Sequence, residues 1–364
     1  MNDFNVRNLL KPRQICFVFL ALMPVTKLVT FPSYLAENAG GQLIFCLLIN
    51  FLADILLLLL ILHIGKSFGD KTFYNVSESS LGKPVTKIAY SIYAVYFFLK
   101  ALLPLLEQKN YIENTLYEIM PAGITFFPFF FVSVYACVKG LKILGRCCDV
   151  TIIATVIGLL FAIFLSVGSA DFSFFMPIFK KPAYNLVKTS FHSLTWFADS
   201  LYMLFFLGHF RREKHAERNV VLSYAGAAAA ASAFIAVFFA VYGPISGSQP
   251  FAVPAATVFS VNATNAARFD YLAVFLLLFA QINAIILPLF LCTKCVERVL
   301  GITKGLWVAI AVNILAAAAI IAFSHKIFAL LDFAEDYLSY FFAFTAFILT
   351  PAILIATRCR YENV

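Results

Sequence analysis

Charge is what this sequence has least of. Only 13% of its 364 residues are Asp, Glu, Lys or Arg, while 62% are hydrophobic. Soluble domains carry about a quarter charged residues. A chain of this length folded in water has no interior large enough for so much apolar surface, so its solvent is lipid. Tryptophan is also scarce, with two Trp beside 42 Phe. The aromatics therefore read as packing or lipid-facing side chains rather than ligand cages. Cysteine gives no metal framework: of eight Cys, Cys292 and Cys295 form a single C-x-x-C, and Cys147 and Cys148 are adjacent. Without a second ligand pair they read as small apolar thiols, and neither metal nor cofactor is expected. No small-residue cleavage pattern follows Arg7, Lys11 and Arg13. The apolar stretch that runs on to about Leu35 is thus a retained helix rather than a signal peptide. No soluble domain is left over, and residues 1–364 read as one transmembrane domain.

What is present is a series of long apolar windows. A spanning helix needs about 20 mostly apolar residues. The windows predict ten: 14–35, 42–64, 88–106, 121–138, 150–167, 187–209, 220–242, 269–292, 306–324 and 337–357. The net charge of +8 would suggest nucleic acid in a soluble protein, but here its distribution decides. Of 27 Lys and Arg, 19 fall in loops on one face, from Arg7 to Arg360, and six on the other. Lys27 and Lys100 fall inside predicted helices. One helix more or fewer in mid-chain would scramble that segregation, so the positive-inside rule puts both termini in the cytoplasm. The expected class is all-α integral membrane, multi-pass in the cell membrane, with the bilayer as partner and no nucleic acid. Loop 65–87 has room for a short surface helix. Segment 243–268, with Pro244, Pro250 and Pro254, reads as a loop over the mouth of a cavity.

Two predicted helices are irregular. In hydrocarbon every backbone group must be paired, so helix breakers survive only where protein or a cavity satisfies the freed groups. The first helix carries Pro24 and Pro32 around Thr26, Lys27 and Thr30, which predicts a break within 23–32. The sixth has a polar centre, Ser193-Leu194-Thr195-Trp196-Phe197-Ala198-Asp199-Ser200, a weaker signal of the same kind. Because five is odd, a second block of five helices enters the membrane from the opposite face. Interrupted helices at matching positions of inverted halves point to a transporter's central site. The halves would be 14–167 and 187–357.

Ionisable groups at membrane depth are costly and are functional candidates by default. Lys27, Asp54, Lys100 and Asp199 lie deepest. Lys100 also has a plain reading, snorkelling to the outer headgroups near Glu107. Asp54 has another, pairing with a neighbour as packing glue. Lys27 and Asp199 fall in the suspected breaks and read as cavity residues. Gln281 and Asn283 suit helix–helix bonding or cavity lining equally. The candidate substrate-binding set is Thr26, Lys27, Thr30, Tyr96, Lys100, Thr195, Asp199, Gln281 and Asn283, with no catalytic residue. A multi-pass membrane enzyme needs a His, Cys or carboxylate pair at one face. The only such cluster, His209 and His215 near Glu213 and Glu217, sits in a loop crowded with Arg and Lys and reads as a solvated positive-inside loop.

Several strings complete the pattern. Arg13-Gln14 opens the first helix and Phe31-Pro32 with Ala36 closes it. Lys139-Gly140-Leu141-Lys142 through Gly145-Arg146 precedes the fifth, a Pro177 segment precedes the sixth, and Arg268-Phe269-Asp270 opens the eighth. With Asp199, in this order and spacing, they resemble the spore germination permease subunits. These are the B subunits of germinant receptors, in the amino acid–polyamine–organocation transporter superfamily. The resemblance covers nearly the whole chain. It implies a LeuT-like inverted repeat of five plus five helices and a small-molecule site between helices 1, 3, 6 and 8. It also implies germinant sensing, amino acids included, with two companion subunits in the spore inner membrane.

Two departures stand out. Many superfamily members have glycines in the first break, whose bare backbone binds a substrate carboxylate; here the segment is Met23-Pro24-Val25-Thr26-Lys27-Leu28-Val29-Thr30. Two roles are open to Lys27: it supplies the positive charge for a carboxylate, or it pairs with Asp199 and keeps the empty site neutral. The eighth helix lacks the serine/threonine pair of sodium-coupled relatives, which argues against a sodium site. The leading function is a permease that binds a small molecule, an amino acid or similar, acting as transporter or germinant sensor. The alternative is a stand-alone proton-coupled amino-acid permease.

Overall fold

The computed structural model describes residues 10–115, 122–179, 181–209, 215–258, 270–302, 305–323 and 333–361. Several predicted features lie outside them: Arg7, Lys180, the stretch 210–214 with Glu213, Arg268, Phe269, Lys304 and Lys326. Among the described residues the elements are helical, and seven helical runs are long and apolar enough to cross a membrane. Large apolar side chains such as Phe131, Leu160, Phe164 and Trp307 stand exposed on the outer faces, as a lipid-solvated surface requires.

The chain opens with α1 (Pro12–Val25), followed after a non-helical stretch by α2 (Phe31–Ala39). Pro24 stays inside α1, and Pro32 occupies the first turn of α2, where a missing N–H costs nothing. The break is therefore confined to 26–30, narrower than the predicted 23–32. At Gly40, where φ is +57°, the chain turns into α3 (Leu43–Gly65). The short helix foreseen in loop 65–87 is α4 (Phe73–Leu81). Next come α5 (Lys83–Thr115), α6 (Ala122–Lys139) and α7 (Leu141–Val167). The predicted sixth helix is two pieces, α8 (Ala183–His192) and α9 (Leu201–Phe206), with a 3-10 turn at Ser193–Trp196 after α8. After α10 (Ala216–Tyr242), a 3-10 turn at Gly243–Ser248 and α11 (Ala252–Val258) form the proline-bearing loop. Then follow α12 (Asp270–Leu300) and α13 (Leu306–Phe323). The last segment alternates π turns at Ala334–Leu338 and Phe344–Leu349 with α14 (Ser339–Ala343) and α15 (Thr350–Tyr361).

Three helices extend eight or nine residues beyond one end of their predicted windows. α5 continues past residue 106 through Glu107, Gln108, Lys109 and Asn110, all buried, because protein rather than lipid surrounds them. α7 starts nine residues before the predicted 150, and α12 ends eight after the predicted 292. α12 packs along α5 and α7, while α1 packs against α7, α10 and α12.

Loops that share a face by charge counting meet in space. At one end Lys66 pairs with Glu217 at 2.7 Å, and Arg13 lies 3.5 Å from Asp149. There too the Arg298 guanidinium lies over the Tyr74 ring, and Arg360 donates to the Ser80 carbonyl at 3.1 Å. Gly208, with φ of +77°, lets α9 end against the backbone of Lys71, where a Cβ would collide at 2.7 Å. At the opposite end Gln42 donates to the Lys181 carbonyl at 2.6 Å, and the Lys181 ammonium donates to the Glu37 carbonyl. The loop after α10 seals α2 there: the Ala252 N–H donates to the Val29 carbonyl at 2.9 Å, and the Ser33 hydroxyl donates to the Gln249 carbonyl.

Candidate functional site

Two interrupted helices free backbone groups in the interior, and where those groups find partners defines the site. In the first break, the Lys27 N–H donates to the Pro24 carbonyl at 2.9 Å and the Thr26 hydroxyl to the Met23 carbonyl at 3.0 Å. The Lys27 ammonium also reaches the Met23 carbonyl, at 3.3 Å. In the second break Ala198 takes φ of +66°, a left-handed conformation that costs a non-glycine residue about 1–2 kcal/mol. Around it three carbonyls face α5. Tyr96 donates its hydroxyl to the Ala198 carbonyl at 3.2 Å. Lys100 donates to the Thr195 carbonyl at 3.3 Å and to the Phe197 carbonyl.

The charges meet between the breaks. Asp199 forms a direct hydrogen-bonded ion pair with Lys27, and its other oxygen lies 3.5 Å from the Lys100 ammonium. Lys27 is fully buried, and Asp199 and Lys100 are only 2% and 5% exposed. The Phe197 ring covers Lys27 at 5.0 Å, and the Phe342 ring flanks Lys100 at 5.7 Å. One carboxylate thus serves two ammonium groups, one from the first break and one from α5. A buried pair of this kind stays charged only with close geometry and further hydrogen bonds, and the carbonyls supply those.

Asp54, on α3, completes the anchor. It accepts from the Asp199 N–H at 3.1 Å, the Ser200 hydroxyl at 2.5 Å and the Tyr224 hydroxyl of α10. It therefore fastens the second break to two intact helices. Asn50, one turn earlier, donates to the Ser193 hydroxyl at 2.7 Å.

The remaining predicted residues divide. Lys100 does not snorkel: it sits mid-way along α5 and turns inward to the carbonyls of the second break. Thr30 donates to Glu107 at 2.6 Å, and the Thr195 hydroxyl is spent on its own turn, at the His192 carbonyl. Thr26, Lys100 and Thr195 line a narrow cavity together with Leu103, Pro104, Glu107 and Trp196. Asn283 is away from this cluster and donates to Thr151 of α7 at 2.9 Å, a helix–helix bond. Gln281 lines a separate, apolar cavity with Val29, Tyr111 and Phe251 on the far side of the first break. Sequence reasoning passed over Glu107, Trp196, Ser200 and Tyr224. The signal for Trp196 was its place inside the polar run 193–200.

The geometry can be compared with known proteins. A family profile described as spore germination protein matches residues 9–327. No curated protein matches the chain by sequence. Among solved structures, a Na+-coupled sialic acid symporter in a substrate-bound outward-open state superposes with a TM-score of 0.61 at 11% identity, covering 92% of this chain and 79% of that one. Mhp1, a nucleobase-cation-symport-1 transporter in a closed conformation with bromovinylhydantoin bound, also gives 0.61 at 11% identity, covering 97% of this chain and 82% of that one. The fold is that of LeuT-type transporters.

Proposed function

Because the chain belongs to the spore germination protein family, we propose that it is a permease that binds a small amino acid between its two helix interruptions. It then acts as a transporter or as the germinant-sensing subunit of a receptor with two companion subunits, in the spore inner membrane. Both the family and the structural neighbours are membrane permeases and transporters rather than enzymes. The observation that carries the reading is the Lys27–Asp199–Lys100 cluster, which joins both interruptions beside a cavity. Lys27 holds Asp199 in the empty state, the second of its two possible roles. Lys100 stands in the cavity wall and meets a ligand carboxylate there. A carboxylate at Lys100 competes with Asp199 and the Phe197 carbonyl, so occupancy loosens the grip of α5 on the second break. Only such differential contact lets a ligand shift a conformational equilibrium.

The architecture we propose to go with it is ten transmembrane helices in two inverted halves, 14–167 and 187–357, with both termini cytoplasmic. The interrupted helices and the face-by-face meeting of loops support it. Cysteine-accessibility labelling is expected to place Lys71, Lys142, Lys214 and Arg298 inside, with Lys181 and Lys326 outside. Finding Lys214 outside would remove the inverted repeat, since the sixth helix would not cross as required.

Function is tested on the purified protein in lipid nanodiscs against a panel of amino acids. Thermal stabilisation by one or a few of them is expected, and none across the panel sinks the reading. Uptake into liposomes by the chain alone favours a stand-alone permease; dependence on companion subunits favours the receptor. In either assay, exchanging sodium for potassium or choline is expected to leave the response unchanged. α12 offers no hydroxyl pair, and the Lys100 ammonium occupies carbonyls of the second break. A steep sodium requirement would overturn this and give Gln281 or Asn283 a place in an ion site.

A further inference from the structure

Glu107 is a carboxyl group the central cluster leaves out. It lies on α5 two turns beyond Lys100, on the same side of the helix, and is 2% exposed. The Thr30 hydroxyl donates to its Oε1 at 2.6 Å, and the indole N–H of Trp196 donates to the same oxygen at 3.3 Å. Both of these bonds fall on Oε1, and among the described residues no cationic side chain comes within ion-pair distance, the Lys100 ammonium acting on Glu107 only from further off. Asp199, by contrast, has two ammonium partners. The deep cluster balances itself, with Asp54 and Asp199 against Lys27 and Lys100. A buried carboxylate served only by neutral donors is costly, and the cost falls when a cation arrives.

The surroundings of Glu107 suit that arrival. It lines the cavity whose remaining wall is largely apolar, from Leu103, Pro104 and the Trp196 ring. Trp196 is held in place by Phe31 and Tyr34, each ring centroid 5.2 Å away. The rigid indole fixes Glu107 Oε1, leaving Oε2 as the acceptor for something not supplied by the chain.

We propose that Glu107 receives the ammonium group of the ligand, which is therefore a compact primary amine: an α-amino acid or its decarboxylated counterpart. Its apolar part lies on Leu103, Pro104 and Trp196. This rests on the reading above that the cavity binds an amino acid, and it adds which atom selects the amine. A hydroxy acid of the same shape leaves the buried carboxyl unpaired, and sites built around a buried polar group reject analogues lacking its partner strongly.

The test uses the full-length protein in nanodiscs and three probe sets: L-amino acids, their decarboxylated amines, and the matching 2-hydroxy acids such as lactate. Thermal stabilisation by amine-bearing probes and not by hydroxy acids is expected. Glu107→Gln keeps the Oε1 acceptor for Thr30 and Trp196, so it folds, and is expected to weaken amino-acid binding by about tenfold or more, the loss of one charge-assisted hydrogen bond. Glu107→Asp controls for side-chain placement and is expected to retain part of the affinity. Equal binding of amino acids to wild type and Glu107→Gln overturns the assignment while leaving the amino-acid permease standing. Binding of hydroxy acids as tight as that of amino acids also overturns it, leaving a small-carboxylate site. No stabilisation by any probe overturns both.

Discussion

Asp199→Asn is expected to yield little folded protein, and what is recovered in detergent should melt far below wild type. The substitution leaves Lys27 and Lys100 buried with no carboxylate between them, because among the described residues Asp199 is the only one in ion-pair contact with either. Removing one partner of a buried pair costs about 3–5 kcal/mol. Here one removal strands two like charges, and whole-domain stability is typically only about 5–15 kcal/mol. Lys27→Met should be milder, since Asp199 keeps Lys100 at 3.5 Å. The double variant Lys27→Met/Asp199→Asn should recover part of the loss, because one stranded ammonium remains and it still has two carbonyl acceptors. Coupling between the two substitutions is the quantity of interest, read from melting curves of all four proteins. A fully stable Asp199→Asn protein would mean that the cluster is not charged as drawn.

The second large effect belongs to Asp54→Ala. Three buried donors converge on this carboxyl: the Asp199 N–H and the hydroxyls of Ser200 and Tyr224. Deleting the acceptor leaves each unsatisfied, at about 1–3 kcal/mol apiece. The N–H is the gravest loss, since no intrahelical carbonyl is placed to replace Asp54 inside an interruption. Tyr224→Phe removes one donor together with its bond, leaves Asp54 with two others, and should cost only about 1 kcal/mol. Melting temperatures in one lipid and one detergent decide: equal losses for the two variants would deny Asp54 its anchoring role.

These two residues show what could be read in advance. Long apolar windows were legible because lipid tolerates nothing else across its thickness. The first break was legible from Pro24 and Pro32, and the second from the polar run around Asp199. The role of Lys100 was not. Glu107, Gln108, Lys109 and Asn110 close the apolar window, which puts the lysine near a helix end on sequence alone. In the structure α5 runs on to Thr115, and the Lys100 ammonium turns inward to the Thr195 and Phe197 carbonyls. The same polar stretch hid Glu107, which marked the end of a span on paper and lines a cavity in space. Gln281 and Asn283 carried a usable hint: two residues apart on a helix means nearly opposite faces, so one cavity cannot hold both. Asp54 could be ranked only as a pairing residue, because its partners come from positions 199, 200 and 224, far along the chain.

The seal between the loop after α10 and α2 has a mechanical corollary. α1 is bolted to α7, α10 and α12, whereas α2 is fastened to the turn at Gly243–Ser248. The five residues between them act as a pivot, and the Lys27–Asp199 pair sits at the fulcrum. α2 has nine residues, a lever arm of about 13 Å at 1.5 Å per residue. A tilt of about ten degrees at the pivot swings its far end by roughly 2 Å, carrying Glu37 and the loop with it. Any tilt at the pivot is thus geared up by α2 into a larger displacement at its far end.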